Sequence, residues 1–205
     1  MIKVLSVSGS PVVNSSTDIL LAETEQGIAE GIGSKSEVAV TIIKLNDLAY
    51  TPCQACGKAP SPDWCFFHDS LDTIYPLVAE CDCLLFGSPV YFDSVSGQAK
   101  MFIDRCNCFR PYDFDGKHPE HRFIKLLPRK RPGGIVLVGG DEIGFESARR
   151  TVAGLFKWIE VVNCGVLKYA SSDDRRSGTA QDDPSILRDA RELGKKLARE
   201  ILNAI

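Results

Sequence analysis

The sequence predicts an α/β fold, a doubly wound parallel sheet of five strands in the order 2-1-3-4-5. Three observations carry that expectation. Short β-rich apolar runs alternate with longer helix-like stretches along the 205 residues. The third and fourth runs are apolar throughout rather than alternating, as strands covered on both faces are. Nothing in the pattern requires a second core. Residues 1–205 therefore read as one domain, with a cysteine-containing loop at 50–69 and a long aromatic loop at 106–132.

The first strand is expected at residues 2–7, where Ile2, Val4, Leu5 and Val7 precede a turn. A helix follows from Thr17 to about residue 33, with Leu20, Leu21, Ile28 and Ile32 at helical spacing. Residues 38–45, rich in β-branched side chains, form the second strand. A second helix is expected over residues 70–80 with Pro76 inside it, which predicts a kink. Residues 83–86 and 135–138 supply strands three and four, and residues 165–169 the fifth. The fourth helix runs over residues 145–159, with Val152, Leu155 and Phe156 on its apolar side. The last covers residues 185–205, where Ile186, Ala190, Leu193, Leu197 and Ile201 recur every three or four positions after Pro184.

Composition excludes several classes. Hydrophobic residues make up 44% of the chain and charged ones 25%, which are globular values. A net charge of −3 offers no basic excess for nucleic acid. Arg129, Lys130 and Arg131, between two prolines, read as a solvated loop. No apolar run approaches the roughly 20 residues of a membrane span, and the N-terminal run is too short for a secretory leader. A cytoplasmic protein is expected, with its eight cysteines as thiols, ligands or redox groups rather than structural disulfides.

Two loops carry chemistry. The turn after strand one holds Ser8, Gly9, Ser10, Pro11, Asn14, Ser15, Ser16 and Thr17 and leads straight into a helix. A helix start offers unpaired N–H groups and a positive dipole end, a natural phosphate site. With no Arg or Lys in the loop, neutral hydroxyl and amide donors would do the holding. The sequence has no G-x-G-x-x-G and no Walker-type loop, which argues against a dinucleotide or P-loop site. The second loop, Gly87-Ser88-Pro89-Val90-Tyr91-Phe92, continues through Ser96 and faces the first across the switch point of the expected sheet. An aromatic, backbone-rich turn there suits a flat ring.

Gly9-Ser10-Pro11, the Gly87 to Phe92 motif, Val95-Ser96-Gly97, Lys100 and Phe102-Ile103-Asp104-Arg105 resemble the NADPH-dependent FMN reductase and iron–sulfur flavoprotein family of the flavodoxin-like superfamily. The resemblance runs through residues 1–105 and weakens beyond. It implies that Ser10, Asn14, Ser16 and Thr17, with Ser8 and Ser15 beside them, hold an FMN phosphate. Pro89, Val90, Tyr91 and Phe92 would contact the isoalloxazine, and backbone N–H groups of the turn up to Ser96 would reach its polar edge. Gly140 and Asp141, after strand four, would lie next to the ring. Asp104 and Arg105 would fix the third helix or a dimer contact. The implied activity is hydride or electron transfer from NAD(P)H, as co-substrate, through FMN to a flavin or quinone, with no catalytic side chain required. The alternative is an electron carrier that serves a protein partner. A homodimer or homotetramer is expected from the aromatic loop, with no nucleic-acid or membrane partner.

Cys53-x-x-Cys56 and Cys65 form a third constellation. Cluster-bearing members of that family have four closely spaced cysteines here, whereas this chain has Ala59 at the third position. The expectation is therefore no bound metal, with Cys53, Cys56 and Cys65 as the candidates should one exist. A redox pair or half a zinc site fits the same residues. A four-iron cluster would need a distant donor, from Cys81, Cys83, Cys106 or Cys108. His118 and His121 read as solvent-facing loop residues.

Overall fold

In the computed structural model the alternating runs assemble into one parallel sheet covered on both faces. Residues 1–56, 64–113, 116, 122–140, 144–170 and 177–204 are described. The strands are β1 (Ile2–Ser8), β2 (Val38–Lys44), β3 (Cys83–Tyr91), β4 (Ser94–Val95), β5 (Arg131–Gly139) and β6 (Val161–Ala170). The helices are α1 (Ser16–Ile32), α2 (Tyr75–Glu80), α3 (Gly97–Arg105), α4 (Phe145–Trp158) and α5 (Pro184–Ala204). The five long strands run in the order β2-β1-β3-β5-β6, all parallel, which is the expected 2-1-3-4-5. The two-residue β4 folds back antiparallel on the end of β3 and was absent from the sequence reading. The fold is flavodoxin-like.

The uniform apolarity of the central strands has its cause in the two core layers. Leu84, Phe86, Ile135 and Leu137 face a layer built with Phe102, Val152 and Phe156. Cys83, Leu85 and Val136 face the other, with Leu20, Ile28, Leu193 and Leu197 from α1 and α5. Burial on both faces leaves no position for a polar residue, so the alternation of a one-sided strand is lost. In register, Ser8 lies beside both Lys44 and Gly87, and Pro89 beside Val138. The loops after β1, β3 and β5 therefore open at one edge.

Two expectations need correction. Pro76 does not kink a continuous helix. A short 3₁₀ turn, Ser70–Thr73, comes first, and Pro76 sits in the opening turn of α2, where a missing N–H costs nothing. The basic cluster is a solvated loop only in part: Arg129 and Lys130 are exposed and precede the strand, and Arg131 is the exception. Arg131 opens β5, is 1% exposed, and donates from Nη2 to the Val78 carbonyl at 2.6 Å. Arg129 reaches the Cys81 carbonyl at 3.1 Å and Asp82 at 2.8 Å. The carbonyls at the end of α2 lack intrahelical donors, and these arginines supply them. Among the described residues no helix is long and apolar enough to cross a membrane.

Candidate functional site

The loop from β1 to α1 is shaped by capping. Ser15 is the N-cap of α1; its Oγ accepts from the Asp18 N–H at 3.2 Å, and the Asp18 carboxylate accepts from the Ser15 N–H at 3.1 Å. The first i to i−4 bond is donated by Ile19 to the Ser15 carbonyl. The Ser16 and Thr17 amides thus come before the helical ladder, at the positive end of the helix dipole. Gly9 donates to the Gly87 carbonyl at 2.8 Å, and a Cβ on it would stand 2.7 Å from that of Ala99. Only glycine lets the loop lie this close to α3.

These loops enclose a crevice of about 260 Å³. Ser10, Ser15, Ser16 and Thr17 line one side, and Pro89, Val90 and Tyr91 the opposite one. Gly140 lines it from the end of β5. Four expected site residues stand elsewhere. Ser8 donates to Asp18 at 2.5 Å beneath the loop. Asn14, in a left-handed conformation with φ 54°, borders a neighbouring cavity with Ser8 and Ile42. Ser96 is buried; its Oγ donates to the Gly9 carbonyl at 2.6 Å and accepts from the Ala99 N–H at 3.1 Å, joining the two loops. Phe92 is fully exposed at the tip of a hairpin. Asp141 lies outside the described residues.

That hairpin is unusual in its chemistry. Tyr91 pairs with Ser94 across the two residues Phe92 and Asp93, which have φ values of 48° and 58°. Two consecutive left-handed residues are a type I′ signature, for which Asn-Gly is the preferred sequence. Phe and Asp there hold strain of order 1–3 kcal/mol each.

Sequence reading missed two contributors. Residues 177–179, just past β6, close the crevice over the helix start. The Ser16 Oγ accepts from the Ala180 N–H at 3.1 Å, and Gly178 takes φ 73°, with its Cα so near the Asn14 carbonyl that a Cβ would meet it at 2.8 Å. The small residues Ser177-Gly178-Thr179 at the same sheet edge were the available signal. The second is Lys44, at the end of β2. Its Nζ bonds Asp18 at 2.5 Å and the Val12 carbonyl at 2.7 Å. The loop has no cation of its own, but the sheet brings one to it.

A second cavity, of about 370 Å³, lies at the opposite end of α3. Cys53, Cys56 and Cys65 line it, and so does Cys108 from the 3₁₀ turn Cys106–Phe109. Arg105 clamps the cysteine loop at both ends: Nη1 donates to the Thr51 carbonyl at 2.5 Å and to Asp69 at 2.6 Å, and Nη2 reaches the Phe67 carbonyl at 3.5 Å. Burial alone would raise the Asp69 pKa, but Arg105 and the Leu71 and Thr51 amides outweigh it and hold the carboxyl below its usual range. Asp104 instead pairs with Lys100 within α3, at 2.8 Å. Ala59, His118 and His121 lie outside the described residues.

A parallel sheet of this order, with a hydroxyl-rich helix start facing a backbone-rich turn at its carboxyl edge, defines a flavodoxin-like fold with a crevice at the switch point. The chain belongs to the NADPH-dependent FMN reductase family, whose model matches residues 2–173, and it is on that ground a flavoprotein of oxidoreductase type. An iron–sulfur flavoprotein of Methanocaldococcus jannaschii is 29% identical over 205 residues, 97% of each chain. Among solved structures, a flavone reductase superposes with a TM-score of 0.64 at 15% identity, taking in 98% of this chain and 64% of that one. An NADH:FMN oxidoreductase in its apo form gives 0.63 at 15% identity, over 100% of this chain and 91% of the other. At such identities the structural matches speak for the fold alone.

Proposed function

We propose that this chain binds FMN in the switch-point crevice and passes hydride or electrons from a reduced nicotinamide to a small acceptor, a flavin or a quinone. The observation that carries this reading is the pairing of the α1 start with the 89–91 turn across one crevice. Bound FMN supplies the redox chemistry; the protein supplies binding, orientation and electrostatics. In this reading the Ser16 and Thr17 amides and the Ser10 and Thr17 hydroxyls hold the phosphate. Pro89, Val90 and Tyr91 flank the ring, and Gly140 admits it closely. Lys44 adds positive potential from beneath the loop while it holds the Val12 carbonyl and Asp18 in place. The protein is cytoplasmic in this reading and assembles as a homodimer or homotetramer. The exposed Tyr91 and Phe92 beside the crevice support that assembly.

The same exposed pair favours a second reading, an electron carrier that docks a protein partner at the crevice rim. Titration of apoprotein with FMN and with riboflavin tests the binding site: FMN should bind tighter, and equal affinities would remove the phosphate loop from the account. Steady-state oxidation of NADPH and NADH by the flavin-loaded protein then separates the readings. Turnover with free flavin or quinone is expected, and its absence with both nucleotides would leave the carrier.

A further inference from the structure

Residues 177–179 reach the crevice from beyond β6, a segment that neither of the two expected loops includes. They line it together with Ser10, Ser16 and Thr17. We propose that Ser177-Gly178-Thr179 is a strap that closes the phosphate end of the crevice and sets the choice of cofactor. A flavin that ends in a phosphate monoester is accepted; FAD, whose phosphate continues into a second nucleotide, is rejected. The proposal rests on the flavin reading and names a specificity determinant within it.

The strap is fixed on both sides. Behind it, the 3₁₀ turn Thr179–Asp182 buries Ala180 completely among side chains of α1 and α5. The Ala180 N–H donates to Ser16 Oγ at 3.1 Å. The Tyr169 hydroxyl, from β6, donates to Thr179 Oγ1 at 3.3 Å, and Thr179 Oγ1 stands 3.4 Å from Ser16 Oγ. Toward the first loop, Gly178 holds φ 73°, and a Cβ on it would meet the Asn14 carbonyl at 2.8 Å and the Ile19 side chain at 3.3 Å. Backbone therefore lies on backbone where the strap crosses the loop. Atoms continuing from a phosphate at the helix start would have to pass through that contact, whereas a terminal phosphate stops short of it.

The same bonds orient a donor. In the proposal Tyr169 donates to Thr179, and Thr179 donates on to Ser16. Ser16 Oγ then accepts from Thr179 and from the Ala180 N–H, and its own hydrogen is left for the crevice that Ser16 lines. Tyr169 and Thr179 are thus positioning residues that act through Ser16. A phosphate monoester carries about two negative charges at neutral pH and offers several strong acceptor oxygens. The first loop has no Arg or Lys, so each neutral donor counts. A diphosphate bridge loses part of that charge and adds bulk against the strap. Attraction to one ligand and obstruction of the other together make the specificity.

The test is titration of apoprotein with FMN, FAD and riboflavin, followed by flavin fluorescence, with thermal melts as the folding control. The wild type should favour FMN over FAD by about 100-fold. Gly178→Ala should lift the strap and lower that preference by about tenfold, the scale of one strained backbone contact, while riboflavin binds as before. Thr179→Val and Tyr169→Phe leave the backbone in place. Each should weaken FMN by about fivefold, the worth of one neutral hydrogen bond, without changing riboflavin; they decide the matter if Gly178→Ala does not fold. A wild type that binds FAD as tightly as FMN, or a folded Gly178→Ala protein with an unchanged preference, would overturn the strap. FMN affinity that depends on Thr17 but on neither Thr179 nor Tyr169 would overturn it too and leave the flavin reading intact. A chain that binds no flavin removes both.

Discussion

The cavities at the two ends of α3 are held open by opposite means. The switch-point crevice is framed by backbone: glycines, N-caps and hydroxyls that bond carbonyls and amides. The cysteine cavity is framed by side chains, with one buried guanidinium tying three points of an irregular loop. They are separated by the length of the nine-residue α3, roughly 13 Å. A site built from backbone survives most substitutions and fails where a Cβ or a cap is changed. A site built around one ion pair depends on that pair. The contrast yields predictions that can break it.

The largest effect should come from Arg105→Ala. It leaves Asp69 without its partner and frees the cysteine loop, at a cost of about 3–5 kcal/mol. Denaturant unfolding and proteolysis of the loop would measure this, with FMN affinity changing little. A parallel collapse of FMN binding would show that the cavities form one cooperative unit.

At the other end, Thr17→Val preserves shape and removes one hydroxyl. FMN binding should weaken by about 1.5–3 kcal/mol, the worth of a hydrogen bond to a charged group, while riboflavin binding stays the same. Equal losses for both ligands would place Thr17 away from the phosphate.

The strained hairpin offers a gain instead of a loss. Replacing Asp93 by Gly should stabilise the fold by about 1 kcal/mol, because φ 58° costs glycine little. A shift of the flavin potential alongside that gain would mean that the strain sets the turn against the ring. An unchanged or lowered melting temperature would mean that Asp93 makes compensating contacts.

The smallest effect is pH-dependent and belongs to the cysteine end. The Asp69 pKa is depressed on folding, so its contribution is fully present above the unfolded value of about 3.9 and fades as pH falls through the lower folded value. Protease cleavage between residues 50 and 69 should therefore accelerate below about pH 4, ahead of global unfolding. Asp69→Asn should show raised cleavage already at neutral pH and lose the acid dependence. An acid response that persists in that variant would assign it elsewhere.

Much of the molecule was legible because its causes are local. The apolar runs that become β3 and β5, the helical spacing of α5 and the Ser15 cap all act within a few residues of themselves. The strand order followed from element count and alternation alone. Other features are decided by partners far along the chain. Arg131 looks solvated in sequence because nothing nearby shows that the end of α2 needs a donor. Lys44 reaches the first loop only because β2 pairs with β1.

By itself the sequence determined the sheet, its order and the helix start at the crevice, since periodicity and capping are short-range physics. Only the tertiary structure decided that residues 177–179 close that crevice and that Cys108 stands across a cavity from Cys53, Cys56 and Cys65. Those meetings are set by how α3 packs against the sheet and by how β6 returns beside β5, and no local pattern encodes a distance between side chains on separate elements.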